Sequence, residues 1–189
     1  MTKRVNITEQ EEVLRDILIG TRLQGKACDR LINMGYLTCP ASAKYHGAVE
    51  GGLMSHSIAV TELLCKCTLR LGLKWKRVDS PIIVGMLHDL CKLGTYTQVA
   101  DSWDCDEATV NYHYEYTKNL VWKGHGELSV IRALQLVPDL TEEEMLCIRY
   151  HMGAYQTDEW NEFDAAIHKY PNVLYTHMAD MGASKIMGR

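Results

Sequence analysis

No apolar run in the chain approaches the ~18 residues needed to cross a membrane, and the opening stretch, M-T-K-R-V-N-I-T-E-Q-E-E, has none of the apolar core of a secretory leader. Both absences lead us to expect a cytoplasmic protein without a membrane partner. A basic surplus is missing too. The net charge is −4, which argues against a broad nucleic-acid footprint and leaves room for small phosphorylated ligands held by local charge. Seven cysteines, an odd number at no scaffold-like density, read as free thiols of a reducing compartment. Cys65 and Cys67 have no second cysteine pair or spaced histidine pair to complete a structural zinc site. Internal repeats and low-complexity segments are absent, and 47% hydrophobic with 23% charged residues is the make-up of one ordinary globular core. Residues 1–189 therefore read as a single domain, with N-terminal helices over 1–37 and the main core over 38–185.

What is present centres on residues 80–94, S-P-I-I-V-G-M-L-H-D-L-C-K-L-G. Ser80 suits an N-cap and Pro81 the first helical position. Ile82, Ile83, Met86, Leu87 and Leu90 supply an apolar face, and Gly94 a stop. A buried helix carrying adjacent His88 and Asp89 needs an explanation, because buried ionisable groups are costly unless paired or bound to a metal. Neighbouring helical side chains diverge by about 100°. The two residues therefore cannot grip an ion together along one helix face, but they can flank it and leave the second carboxylate oxygen for another. For an isolated dipeptide the alternative is a histidine bonded to a backbone carbonyl beside a capping aspartate.

The other elements follow from periodicity. Thr8 with Glu11 forms a capping box for a first helix with Val13, Leu14, Ile17 and Leu18 on one face. A second helix covers 24–34, a turn-rich loop 38–52, and a long helix 53–71 with Val60, Leu63, Leu64, Cys67 and Leu71 as its core stripe. His56, one turn before Val60, points inward. The Lys74 to Arg77 cluster reads as a solvated helix end. Residues 110–117 alternate like a strand and 119–122 supply its return, a small β-hairpin that could act as a lid. Helices over 124–136 and from Thr141 (a capping box with Glu144) to His151 follow, then a loop over 153–163 and a last helix from Asn172 that carries His177 and Asp180. The expected fold is an all-α bundle of about six helices with a small β-hairpin insertion.

His56, His88 with Asp89, His125, His151 and Asp180 each stand at the start or end of a buried helix. Imidazole and carboxylate together suit Mn, Fe, Co, Ni or Zn, and bundle cores build such sites from inward side chains of facing helices. With no thiolate in the set, the composition favours a catalytic hydrolytic centre over a structural one.

In this order the chain resembles the HD-domain metal-dependent phosphohydrolases. G-G-L-M-S-H-S-I-A-V matches their first histidine segment at His56, and G-M-L-H-D-L-C-K-L-G their His-Asp pair. K-G-H-G-E-L-S matches at His125, R-Y-H-M-G at His151 and T-H-M-A-D-M-G-A-S at Asp180. The P-A-S-A-K-Y-H-G segment is similar to bacterial and phage HD proteins, including a group related to HD-type exoribonucleases. Two departures stand out: Cys91 replaces a frequent glycine, and His151-Met152-Gly153 replaces a frequent His-His-Gly. The resemblance implies one or two divalent transition-metal ions (Mn, Fe, Ni, Co or Zn). The first would be held by His56, His88, Asp89 and Asp180, and the second by a bridging Asp89 with His125 and His151. It implies a metal-activated water as nucleophile, with Lys92 aimed at a phosphate oxygen. If one ion binds, His125 and His151 become phosphate donors or proton shuttles.

These features set the functional expectation: a metal-dependent phosphohydrolase acting on a phosphomonoester or phosphodiester of a nucleotide-like substrate. Asp89 and Lys92 are its catalytic residues, and Tyr45, His46 and Lys92 its substrate contacts. The alternatives are a single-strand nuclease of the HD exoribonuclease type, a di-iron oxygenase, and a non-catalytic nucleotide-binding module. A homo-oligomer is compatible with each. His113 and His168 read as surface residues. His177 is either a support behind the ligands or a structural histidine, and Trp160 and Phe163 are loop anchors or base-stacking aromatics.

Overall fold

A computed structural model describes residues 6–45, 47–104, 109–122, 124–155 and 157–188. Among them are eight α-helices and one antiparallel hairpin, so the chain is mainly helical. No described helix is long and apolar enough to cross a membrane.

Helix α1 (Ile7–Ile17) is capped by Asn6, whose side chain accepts from the Glu9 N–H, so the Thr8 capping box does not form. Val13 is exposed, while Leu14 and Leu18 are fully buried. Helix α2 (Lys26–Asn33) completes the N-terminal pair, and α3 (Gly52–Leu71) and α4 (Ser80–Leu87) form the centre of the bundle. The apolar stripe of α3 is buried at Val60 and Leu64 but runs out to solvent at Leu71.

Helix α4 is shorter than the sequence suggests. It begins after Asp79, with Ser80 already inside the first turn, and ends at Leu87. The Ser80 hydroxyl does not cap the helix; it donates to Glu144 Oε1 at 2.6 Å. Around it, Arg22 donates to Asp79 Oδ2 (3.0 Å) and to Glu144, joining the N-terminal segment to the bundle through a closed set of charges. At the other end of α4 the backbone passes through His88 and Asp89 into a 3-10 turn, Leu90–Lys92. A β-carbon on Gly85 would lie 2.3 Å from Thr61 Oγ1, so this glycine permits the close α3–α4 contact that draws His56 and His88 together.

The hairpin uses the opposite neighbour from the one expected. Strand β2 (Thr109–Tyr116) pairs with the preceding β1 (Tyr96–Asp104), not with 119–122. The register runs from Tyr96 opposite Tyr116 to Asp104 opposite Thr109, with an irregularity between Ala100 and Ser102. Asn119 adopts φ 60°, a left-handed turn conformation, which ends the extended path before any return strand.

Helices α5 (His125–Leu136) and α6 (Glu142–Arg149) pack on each other, and the Thr141–Glu144 capping box opens α6 as expected. Gly126 sits so close to the end of α6 that a β-carbon would lie 1.9 Å from the Arg149 carbonyl oxygen. The expected loop over 153–163 is instead two 3-10 turns and the start of α7 (Trp160–Lys169). Phe163 is buried against Tyr150 and His177, which makes it a core residue. Helix α8 (Asn172–Met181) closes the bundle and runs into a π-helical turn, Gly182–Ile186.

Candidate metal centre

The site is assembled from helix ends. His56 comes from the first turns of α3, His88 and Asp89 from the end of α4, and Asp180 from the last turn of α8. His125 opens α5, and His151 follows α6. Apart from His125 and Asp180, which are partly exposed, these side chains are buried. Termination of α4 at Leu87 explains how two consecutive residues reach one centre. Asp89 has left the helix (φ −109°, ψ 21°), so its carboxylate swings in beside the His88 ring and the ~100° helical divergence no longer applies.

The Asp89 carboxylate lies in the middle. Its Oδ2 is 3.5 Å from Nε2 of both His56 and His88. Its Oδ1 is 2.8 Å from His125 Nε2 and 3.4 Å from His151 Nε2. Asp180 Oδ1 stands 3.1 Å from His56 Nε2, and the Nε2 atoms of His56 and His88 are 3.2 Å apart. Donors about 2.0–2.1 Å from one tetrahedral ion lie about 3.3 Å from each other. The spacings of 3.1–4.0 Å among His56, His88 and Asp180 are close to those of a ligand set as well as those of hydrogen bonds.

Tautomers support the same reading. A carbonyl can only accept, so the 2.8 Å contact of His88 Nδ1 with the Gly85 carbonyl fixes the proton on Nδ1 and leaves a lone pair on Nε2. His151 repeats this arrangement with the Ile148 carbonyl at 2.7 Å. Its buried Nε2 has no hydrogen bond of acceptable geometry, despite the nearby Asp89 oxygen. An uncompensated lone pair in the interior is costly, and metal-ligating histidines are held by just such bonds on their far nitrogen. Burial pushes the His88 ring down to about 3, so it is neutral and ready to ligate across the physiological range.

Burial opposes ionisation of Asp89, but the Lys92 ammonium and the surrounding imidazoles hold its carboxyl well below the ordinary value. Asp180 behaves alike. Burial raises it, yet the hydrogen bond from His56 and the neighbouring rings bring it to about 2. His125 is lowered by burial and raised further by its bond to Asp89, ending at about 10.

The structure thus gathers all six expected ligands, and three overlapping groups could hold an ion: His56–His88–Asp180, His88–Asp89–His151, and Asp89–Cys91–His125. The third contains a thiol that sequence reasoning set aside. Cys91 is buried, and its Sγ lies 3.9 Å from Asp89 Oδ1. Its position two residues after Asp89 was the available signal, hidden by the assumption of a continuous helix. The Lys92 ammonium is buried and sits 2.6 Å from Asp89 Oδ2.

Of the expected substrate contacts, Tyr45 is exposed and has no described contact with the cluster, and His46 lies outside the described residues. His177 donates from Nδ1 to the His151 carbonyl at 2.8 Å, which places it directly behind His151. His113 sits on the hairpin between Asp101 and Glu115, and His168 is exposed. Arg132, which no motif announced, donates to the carbonyls of Leu90 (2.6 Å), Cys91 (3.1 Å) and Leu93 (2.7 Å), clamping the turn that carries Asp89 and Lys92. Chemically, the centre offers one carboxylate with its two oxygens facing two groups of nitrogen donors. Comparisons with family models, with curated proteins and with solved structures found no match for this chain.

Proposed function

We propose that this chain is a metal-dependent phosphohydrolase of the HD-domain type, cleaving a phosphomonoester or phosphodiester of a nucleotide-like substrate. The observation that carries the reading is Asp89, whose two oxygens face His56 and His88 on one side and His125 and His151 on the other. His56, His88, Asp89 and Asp180 would hold a first ion, and Asp89, His125 and His151 a second. A divalent transition ion supplies Lewis-acid polarisation of the phosphoryl group and a water whose pKa falls from 15.7 towards about 7.

The remaining work falls to side chains. Lys92 keeps a buried positive charge beside Asp89, where it offsets negative charge building on a transferred phosphoryl group. If a single ion binds, His125, the most exposed of the four histidines, is instead free to pass a proton to a leaving oxygen. At the hairpin, a cleft of about 350 Å³ lined by Ala43, Lys44 and His113 to Tyr116 has the volume of a small-molecule site. Tyr96, paired in register with Tyr116, is raised by burial, by Tyr116 and by the charge of Asp89, which ties the foot of the hairpin to the centre.

The test is hydrolysis of nitrophenyl phosphate mono- and diesters and of nucleotides with added Mn²⁺. The reading requires turnover that Asp89→Ala abolishes. Turnover unaffected by Asp89→Ala, or none with any divalent metal across those substrates, would overturn it.

A further inference from the structure

Cys91 belongs to neither histidine group expected from the sequence, yet it shares a turn with Asp89 and a neighbourhood with His125. We infer that Cys91 is a metal ligand, and that Asp89, Cys91 and His125 together form a sulfur-containing second position that favours Zn²⁺ over Mn²⁺. This rests on the metal-centre reading above and specifies which ion its more open half takes.

Two observations carry it. The first is convergence. The donor atoms of Asp89, Cys91 and His125 lie within 4.8 Å of one another. A zinc ion with bonds of about 2.3 Å to sulfur and about 2.0 Å to oxygen separates those two donors by about 3.5 Å, and the Cys91 Sγ to Asp89 Oδ1 distance is 3.9 Å.

The second is preorganisation. The Cys91 N–H donates to Ser129 Oγ at 3.0 Å, and its carbonyl accepts from Thr95 Oγ1 (2.6 Å) and Arg132 (3.1 Å). The backbone on both sides of the thiol is fixed, as ligand-bearing segments usually are. On binding, the thiol releases its proton to solvent as the sulfur–metal bond forms. A thiolate softens an otherwise imidazole and carboxylate set and shifts preference towards zinc.

X-ray absorption on the intact Zn²⁺-loaded chain, with elemental analysis of the same sample, tests this. We expect a sulfur shell at about 2.3 Å. With Co²⁺ in place of zinc, we expect a near-ultraviolet sulfur-to-metal charge-transfer band. Both should be lost in Cys91→Ser and kept in the Cys65→Ser/Cys67→Ser double variant, whose cysteines lie on α3. Two zinc ions with only nitrogen and oxygen neighbours, in a chain that hydrolyses phosphate esters, would overturn the Cys91 assignment and leave the functional reading intact. A sulfur shell that persists in folded Cys91→Ser, or disappears only in the double variant, would overturn it equally. No bound metal at all would overturn both.

Discussion

Helix α4 carries a buried polar cluster at each end, and the two are built on opposite principles. At its start, Asp79, Ser80 and Glu144 surround Arg22. Here donors and acceptors match: the guanidinium donates to both carboxylates, Ser80 donates to Glu144, and the Thr141 N–H donates to the remaining Glu144 oxygen at 2.7 Å. At its end, two carboxylates and four imidazoles meet a single lysine. Two Nε2 atoms face each other at 3.2 Å, and a third has no hydrogen bond. The first cluster is complete as protein. The second leaves a buried imidazole nitrogen unmatched by any partner in the protein and is arranged so that it could hold a cation. Burial alone does not separate structural from functional charge; donor–acceptor matching does.

Substitutions at the two ends should therefore have different signatures. Asp89→Ala removes the ligand common to both halves of the second cluster. We expect hydrolysis to fall by at least about 10³-fold, with loss of both ions by elemental analysis. Arg22→Ala should do the reverse. Leaving Glu144 buried without its cation costs about 3–5 kcal/mol, read as a lower denaturation midpoint, with metal content unchanged. Metal loss in a folded Arg22→Ala chain would erase the distinction.

Arg132→Ala sharpens the comparison from outside the cluster. It touches none of the proposed donor atoms, but it releases three carbonyls of the 90–93 turn, that of Cys91 among them. Loss of such support typically lowers metal affinity or activity about 10–100-fold, and titration of the metal-stripped variant measures it.

The smallest effect is a pH dependence that differs between the two halves of the cluster. In the metal-stripped chain His125 is held at about 10 by Asp89 against the opposing effect of burial, so it carries a proton at neutral pH. Binding at its position must release that proton, and affinity there should rise by up to about tenfold per pH unit between neutrality and about pH 10. His88, pushed down to about 3 by burial, is already neutral, so it adds no such slope to the first position. Stability of the stripped chain carries the matching sign. The folded-state value of His125 lies above the ordinary 6.5, so its contribution is complete below pH 6.5 and is lost as pH rises through about 10. Metal titrations and denaturation midpoints across this range check both statements.

The six residues of the cluster were legible because each interrupts an apolar pattern. His56 lies one turn from Val60, and the His88–Asp89 pair follows a helix that is apolar on nearly every side. The α6 capping box was legible from Thr141 and Glu144 for the same local reason. Features set by termination or long-range pairing were not. Nothing in the 80–94 pattern marks Leu87 as the end of α4, so the turn that brings Cys91 and Lys92 to Asp89 stayed hidden. Helix α7 escaped because Glu159 makes no capping bond and two 3-10 turns precede it, although Phe163 and Ala166 keep helical spacing. The partner of β2 was misassigned because β1 loses strict alternation at its irregularity near Ala100. Arg132 acts through carbonyls about forty residues away in sequence, which no local pattern encodes.

The central claim is that the cluster at the end of α4 is a metal centre, and metal stoichiometry tests it most directly. The measurement is elemental analysis of the chain purified without chelator, beside Asp89→Ala and Arg22→Ala. The account predicts close to two transition-metal ions per chain, lost in Asp89→Ala and retained in Arg22→Ala. A wild-type chain that holds no metal, even after incubation with Mn²⁺ and Zn²⁺, would contradict it.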